Sequence, residues 1–536
     1  NTFAFGLMQE IRALDLASLP RDERVQAEML LTKLSNGIDE ARLGGYLVPI
    51  DQRRGPQVWL PQLASRMTIR SSDDIKNYLS RLRQVPQVID GTIGILERAV
   101  EIGFLPPRVT LEGVEEQLVS QLEGKPEDSL FYLPLKAPPE GVEGEVLEEL
   151  RREGIEVLEE VVRPAFLRLL EHFKEEYRPF ARSSIACSDY PPGIDFYEHR
   201  IRVHTTTFKS AQEIHQLGLD EVARIRQEMD KVIERSGFEG DFDTFVDFLR
   251  TDERFYFDEP EELLRGYRDI CKRMDAELPK LFGRLPRAPY GVREIPAFEA
   301  PRSTTAYYRP APADGSQPGW FYANTFDLAS RPRYEMVALA LHEAVPGHHL
   351  QLALQTEIEG LPQFRKTMHF TAYIEGWGLY AESLGRDVGF YDDPYDDFGR
   401  LSYEMWRALR LVVDTGIHSK AWTRDEAIEY MLVNSALTRT NVEAEVDRYI
   451  SWPGQALAYK IGELTIQELR RDASKRLGDS FDLRAFHDHL LAAGSLPLDV
   501  LRQRMEEWVE ELIGLGHRLA GCGRDTDAIA QLRRLG

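Results

Sequence analysis

Cysteine is scarce in this chain. Cys187, Cys271 and Cys522 are the only three in 536 residues, far apart and odd in number, which gives neither a disulfide framework nor a cysteine zinc site. That scarcity points to a reducing, cytoplasmic setting. A periplasmic one stays open, because a signal peptide removed before Asn1 would leave no trace. Positive charge is also in deficit: 66 lysines and arginines face 89 acids, for a net charge of −23, so the chain repels a phosphate backbone and no nucleic-acid partner is expected. No run approaches the roughly 18 apolar residues that would span a bilayer, so no membrane span is expected. Phosphate-binding loops of the G-x-x-x-x-G-K-[ST] type, G-x-S-x-G elbows and dinucleotide glycine patterns are missing too. Nucleotide-driven, serine-based and dinucleotide chemistries therefore lose their usual supports.

What is present is mostly helix. Stretches such as "RDERVQAEMLLTKLSNGI" and "SAQEIHQLGLDEVARIRQEMDKVIERSG" carry apolar residues at three- and four-residue spacing, and Ser210 and Gly237 bracket the second as start and stop signals. Residues 1–290 read as a helical scaffold and 291–536 as a metal-binding catalytic region continuous with it. Strand signals cluster at "STTAYYRPA" and "PGWFYANTF", separated by the turn-like "PADGSQ", which predicts a β-hairpin at about 303–326.

Just after that hairpin comes "YEMVALALHEAVPGHHLQLALQTEIEG", apolar nearly all round and hence a buried helix. His342, Glu343, His348 and His349 stand inside it, and burying them without partners or a metal would cost several kcal/mol. On an ideal helix His348 would sit roughly 9 Å along the axis from His342, too far for one zinc with bonds of about 2.0–2.1 Å. Pro346-Gly347 lies between them. Proline cannot donate a helical hydrogen bond and glycine tolerates unusual dihedrals, so the helix is expected to break at 344–347 and return His348 to the side of His342. His349 is the fallback ligand.

A catalytic zinc usually takes three protein ligands and keeps one position for water. In "FTAYIEGWGLYAESLGR", Glu375 and Glu382 are seven apart on one face of an apolar, aromatic helix. Glu375 is assigned to the metal, and Glu382 to orienting a ligand histidine. Glu343, beside a ligand, is placed to act as general base.

The order His-Glu, His, then Glu on a following helix resembles the gluzincin metallopeptidases, the class of thimet-type oligopeptidases and angiotensin-converting enzyme. More closely, "HEAVPGHHLQ", "YIEGWGLYAE", "RLVVDTGIHSKAW" and "PGQALAYKIG" look like the bacterial family called domain of unknown function 885. That resemblance covers most of the chain and implies a mostly α, large helical gluzincin-like metallopeptidase fold with a small β-hairpin or sheet beside the metal helix. It names no substrate. Related peptidases hold a late tyrosine or histidine over the metal to stabilise the tetrahedral intermediate; Tyr459 and Tyr449 are the candidates here.

One further stripe stands out in "LSYEMWRALRLVVDTGIHSKAW". Tyr403, Arg407, Arg410, Asp414 and His418 recur at helical spacing on one face. Arg407 and Arg410 would suit a substrate carboxylate, or else pair with acids on adjacent helices. His418 could meet an oxyanion, and Arg448, further on, could bind substrate or pair with an acid. The expected activity is zinc-dependent hydrolysis of a peptide or amino-acid amide or ester bond, its substrate a peptide or amino-acid conjugate. The alternative is a non-catalytic helical binding protein with a structural metal closed by both His348 and His349. Oligomeric state is not legible.

Overall fold

The structure, a computed structural model, describes residues 2–297, 300, 303–312 and 315–521, the side chains of 516–521 excepted. Cys522 and the turn residues Ala313 and Asp314 fall outside it. The eleven helices that matter below are α1 (Arg21–Arg42), α2 (Ile194–Thr205), α3 (Ala211–Ser236), α4 (Pro260–Leu281), α5 (Met336–Glu343), α6 (His348–Thr356), α7 (Thr371–Leu384), α8 (Pro394–Lys420), α9 (Arg439–Ser451), α10 (Ala458–Leu477) and α11 (Leu498–Gly521). The fold is mostly helical, with a small three-stranded sheet.

Local signals set many of these boundaries. The Ser210 hydroxyl accepts from the Glu213 amide while the Glu213 carboxylate answers the Ser210 amide, a reciprocal cap that starts α3, and Gly237 at φ 73° stops it. Along its length α3 packs against α8, where Val222, Ile225 and Met229 meet Met405, Leu409 and Val412 in one core. Each such side chain, fully withdrawn from water, stabilises by about 1.5–3 kcal/mol. The largest core runs from Val25 on α1 to Val509 on α11. Ion pairs from Arg21 (3.1 Å) and Arg24 (2.8 Å) to Glu507 tie the same two helices together. Residues on both sides of position 290 share this core, so the two segments read from the sequence form one packed body.

The hairpin expected at 303–326 is present as β2 (Ala306–Arg309) antiparallel to β3 (Gly319–Ala323), with Ala306 opposite Ala323 and Arg309 opposite Trp320. A third strand, β1 (Tyr290–Glu294), pairs parallel to β3, giving the order β1-β3-β2. Its sequence, Tyr-Gly-Val-Arg-Glu, buries only Val292 fully, so it carries no strand pattern to read. β2 is an outer strand of the sheet and packs beside α5. Among the described residues no helix is long and apolar enough to cross a membrane.

Candidate metal centre

The buried helix that begins near Tyr334 is broken where Pro346-Gly347 predicts. α5 ends at Glu343, Ala344 leaves the helical region (φ −100°, ψ −106°), and α6 begins at His348. The Val345–Pro346 peptide is cis. Across the break the His349 amide donates to the Ala344 carbonyl (3.0 Å), and the Trp377 indole N–H donates to the Pro346 carbonyl (2.9 Å). The His342 and His348 rings come to 4.7 Å between centroids, nearly perpendicular at 83°. Position 347 is glycine for space: a Cβ there would lie 1.9 Å from the His342 carbonyl oxygen. Gly347→Ala is therefore expected to force α5 and α6 apart, costing about 1–3 kcal/mol or more and lowering zinc affinity. A thermal melt and zinc titration check this, and unchanged values in both would remove the close approach from the account.

α7 supplies the carboxylates. Glu375 Oε2 lies 3.6 Å from His342 Nε2 and 3.6 Å from His348 Nε2, and ligand atoms of the three residues fall within 4.8 Å of one another. A tetrahedral zinc with bonds of about 2.0–2.1 Å separates its ligands by roughly 3.4 Å, so the trio fits one ion with little movement. Seven residues on, Glu382 is buried and sits 2.8 Å from His342 Nδ1. That contact holds the Nδ1 proton and turns Nε2 toward Glu375. Gly378, between the two acids on that face, lets the ring lie against the helix, since a Cβ there would come 2.7 Å from the imidazole.

The electrostatics favour a cation at this point. Burial alone would lower the His342 pKa, but hydrogen bonds to Glu375 and Glu382 outweigh it and push the ring up to about 10. Burial would raise Glu375, yet hydrogen bonds from His342 and His348 and their charge hold it well below the usual carboxylate range. Glu343 is buried on the last turn of α5, and among the described residues no hydrogen bond or ion pair holds its carboxylate.

His349, the fallback ligand, is engaged by the sheet. Its Nδ1 is 2.8 Å from the Tyr308 hydroxyl of β2, its ring is 4.4 Å from Tyr290 of β1, and it bonds the Ala288 backbone. Burial pushes its pKa down to about 4. β1, unread in the sequence, thus helps hold the second histidine away from the centre.

The polar stripe on α8 is buried as expected, but its members part company. Arg407 Nη2 lies 3.7 Å from Glu382 Oε1, which places it behind His342. Arg410 pairs with Glu445 (2.9 Å) and donates from Nε to the Tyr449 hydroxyl (3.1 Å). Asp414 accepts from the Tyr197 hydroxyl (2.6 Å) and the Gly454 amide. His418 corrects the oxyanion expectation. Its Nδ1 accepts from the Cys187 amide (3.0 Å) and its Nε2–H donates to the Tyr449 carbonyl (3.0 Å), so both nitrogens are spent on backbone.

Tyr449 is corrected as well. Its fully buried hydroxyl accepts from Arg410 and from the Trp406 indole (3.3 Å) and is hydrogen-bonded to Glu445, so it orients an arginine instead of facing substrate. Tyr459 is 9% exposed, with Arg448 Nη2 donating to its hydroxyl (3.3 Å). Glu445 was missed, although it stands three residues before Arg448 on one helix, a spacing that brings the pair onto one face.

Two histidines set side by side by a break in a buried helix, with a carboxylate on a neighbouring helix within reach of both, form a cluster that could hold one metal ion. The family can be named: residues 3–505 match the model of bacterial proteins of unknown function designated DUF885, and the chain belongs to that family. The fold is similar to that of a candidate lipoprotein from Colwellia psychrerythraea, at 30% identity and a TM-score of 0.89 over 95% of this chain and 90% of that one. It is also similar to a candidate lipoprotein of unknown function from Shewanella oneidensis, at 18% identity and a TM-score of 0.69 over 94% and 91% of the two chains. No curated protein matches the chain significantly.

Proposed function

We propose that the protein is a zinc-dependent hydrolase of the gluzincin kind, cleaving a peptide or amino-acid amide or ester bond. The convergence of His342, His348 and Glu375 with the unpaired carboxylate of Glu343 carries this reading. Zinc held by those three residues would supply Lewis acidity, polarising a carbonyl and lowering the pKa of water. Glu343 accepts the attacking water's proton and returns it to the leaving group. Glu382 fixes the His342 tautomer, with Arg407 steadying Glu382 in turn. Tyr459 is the candidate for stabilising the oxyanion. The outer strand β2, beside α5, offers backbone groups to an extended substrate.

A closed structural site would need His349 as a fourth ligand, and its bonds to Tyr308 and the Ala288 backbone weigh against that. The lipoprotein description of the Colwellia relative favours an extracytoplasmic setting over the cytoplasmic one expected from the sparse cysteines. Digestion of a short-peptide library, read by mass spectrometry, tests the function. Cleavage should vanish on chelation and return with zinc. No cleavage, or cleavage indifferent to chelation, defeats the proposal.

A further inference from the structure

Beyond the metal centre lies a buried excess of positive charge. Arg410 on α8 and Arg448 on α9 converge on one carboxylate, Glu445, at 2.9 and 3.4 Å. Arg53 lies near by: its guanidinium donates to the Ala444 carbonyl (3.3 Å), and the charges of both Arg448 and Glu445 act on it. The next acids that act on Arg53, Asp51 and Asp447, are ion-paired with Arg54 and Arg424. Two guanidiniums thus share a single carboxylate, with a third cation near by. Glu445 answers that field: burial would raise its pKa, yet the charges of Arg410 and Arg448 hold it down to about 2.

Burying unbalanced charge is costly unless an anion or ordered water completes it. Arg410 Nη1 and Arg448 Nε are buried and have no hydrogen-bond partner among the described residues. Aromatic rings wall the cluster. The Arg410 guanidinium stands 4.6 Å from the Trp406 ring and 4.5 Å from the Tyr459 ring. A cleft of about 240 Å³ is lined in part by Arg53, Tyr403, Trp406 and Glu445, so that Trp406 and Glu445 stand between it and the two arginines. Arg448, with 12% of its side chain exposed, is the outer member of the pair, and Arg410, at 2%, the inner.

The cluster also lies close to the reacting end. Arg407, which contacts Glu382 behind His342, shares the Tyr459 ring with Arg410, at 6.0 and 4.5 Å. We infer that Arg410 and Arg448, with Tyr459 beside them, form a subsite for the terminal carboxylate of the substrate, so that the substrate class is short peptides with a free C-terminus. Arg407, which donates to the Tyr403 carbonyl (3.3 Å) and stands 3.7 Å from Glu382, is not assigned to it. The subsite's role in turnover rests on the hydrolase reading, but its binding chemistry does not.

Two equimolar libraries of tri- to pentapeptides, identical except that one is amidated at the C-terminus, separate the two claims. Zinc-loaded Glu343→Gln protein should retain the free acids about ten- to a hundredfold better than the amides, the yield of a charge-assisted hydrogen bond. Arg448→Lys should narrow that ratio, because an ammonium cannot make a forked contact, and Arg410→Gln should erase it. The acid–amide comparison in the Glu343→Gln protein needs no arginine variant, so a poorly folding Arg410→Gln does not spoil the test. Equal retention of the two libraries, including none of either, overturns the subsite. Preferential retention without cleavage by the wild-type protein upholds the subsite and overturns the hydrolase.

Discussion

Glu343→Gln is expected to keep its fold and its zinc while kcat falls by about 10²–10⁴-fold, the usual contribution of a positioned general base. The amide is close in shape to the carboxylate, and no hydrogen bond or ion pair to a described residue is lost, because the native side chain makes none. What it cannot do is accept a proton. The comparison pairs metal analysis and a thermal melt with turnover of a peptide found in the library digestion. If the variant turns over within a few-fold of wild type, Glu343 has no part in the chemistry. If it loses zinc, its role is in holding the centre.

Removing a ligand should act on metal binding first. His342→Ala, His348→Ala and Glu375→Ala each take away one of three protein donors, and zinc affinity should fall by more than the roughly 10–100-fold typical of losing an outer hydrogen-bond partner. Glu382→Gln sits at that lower level, since it weakens the hold on the His342 tautomer and leaves Arg407 without its carboxylate. His349→Ala should retain zinc, because the native ring is turned toward Tyr308 and Tyr290. Competition against a chromophoric chelator ranks all five variants. Equal loss in His349→Ala and His348→Ala would mean the ligand set is wrong.

Where chemistry restricts the backbone, the sequence is easy to read. Pro346-Gly347 forbids a continuous helix, so the break between α5 and α6 and the return of His348 follow from two residues. The seven-residue interval from Glu375 to Glu382 fixes both on one face of α7 whatever else surrounds them. Periodicity also put Tyr403, Arg407, Arg410, Asp414 and His418 on one face of α8, and they are there. It could not say what that face meets. α8 crosses several elements along 27 residues, so Arg407 reaches α7, Arg410 reaches α9, and His418 ends between the Cys187 amide and the Tyr449 carbonyl. β1 was hidden because its pairing is parallel and comes from a partner 29 residues away, with no turn or alternation to announce it. Gly378 gave no signal either, since a glycine that makes room for a ring looks in sequence like any helical glycine.

The most direct test of the centre is a crystal of the zinc-soaked protein measured at the zinc absorption edge. The account predicts one strong anomalous peak per chain, about 2.0–2.2 Å from His342 Nε2, His348 Nε2 and a Glu375 oxygen, with a position left for solvent. A peak bound by His349 as well, or no peak among these residues, would contradict it.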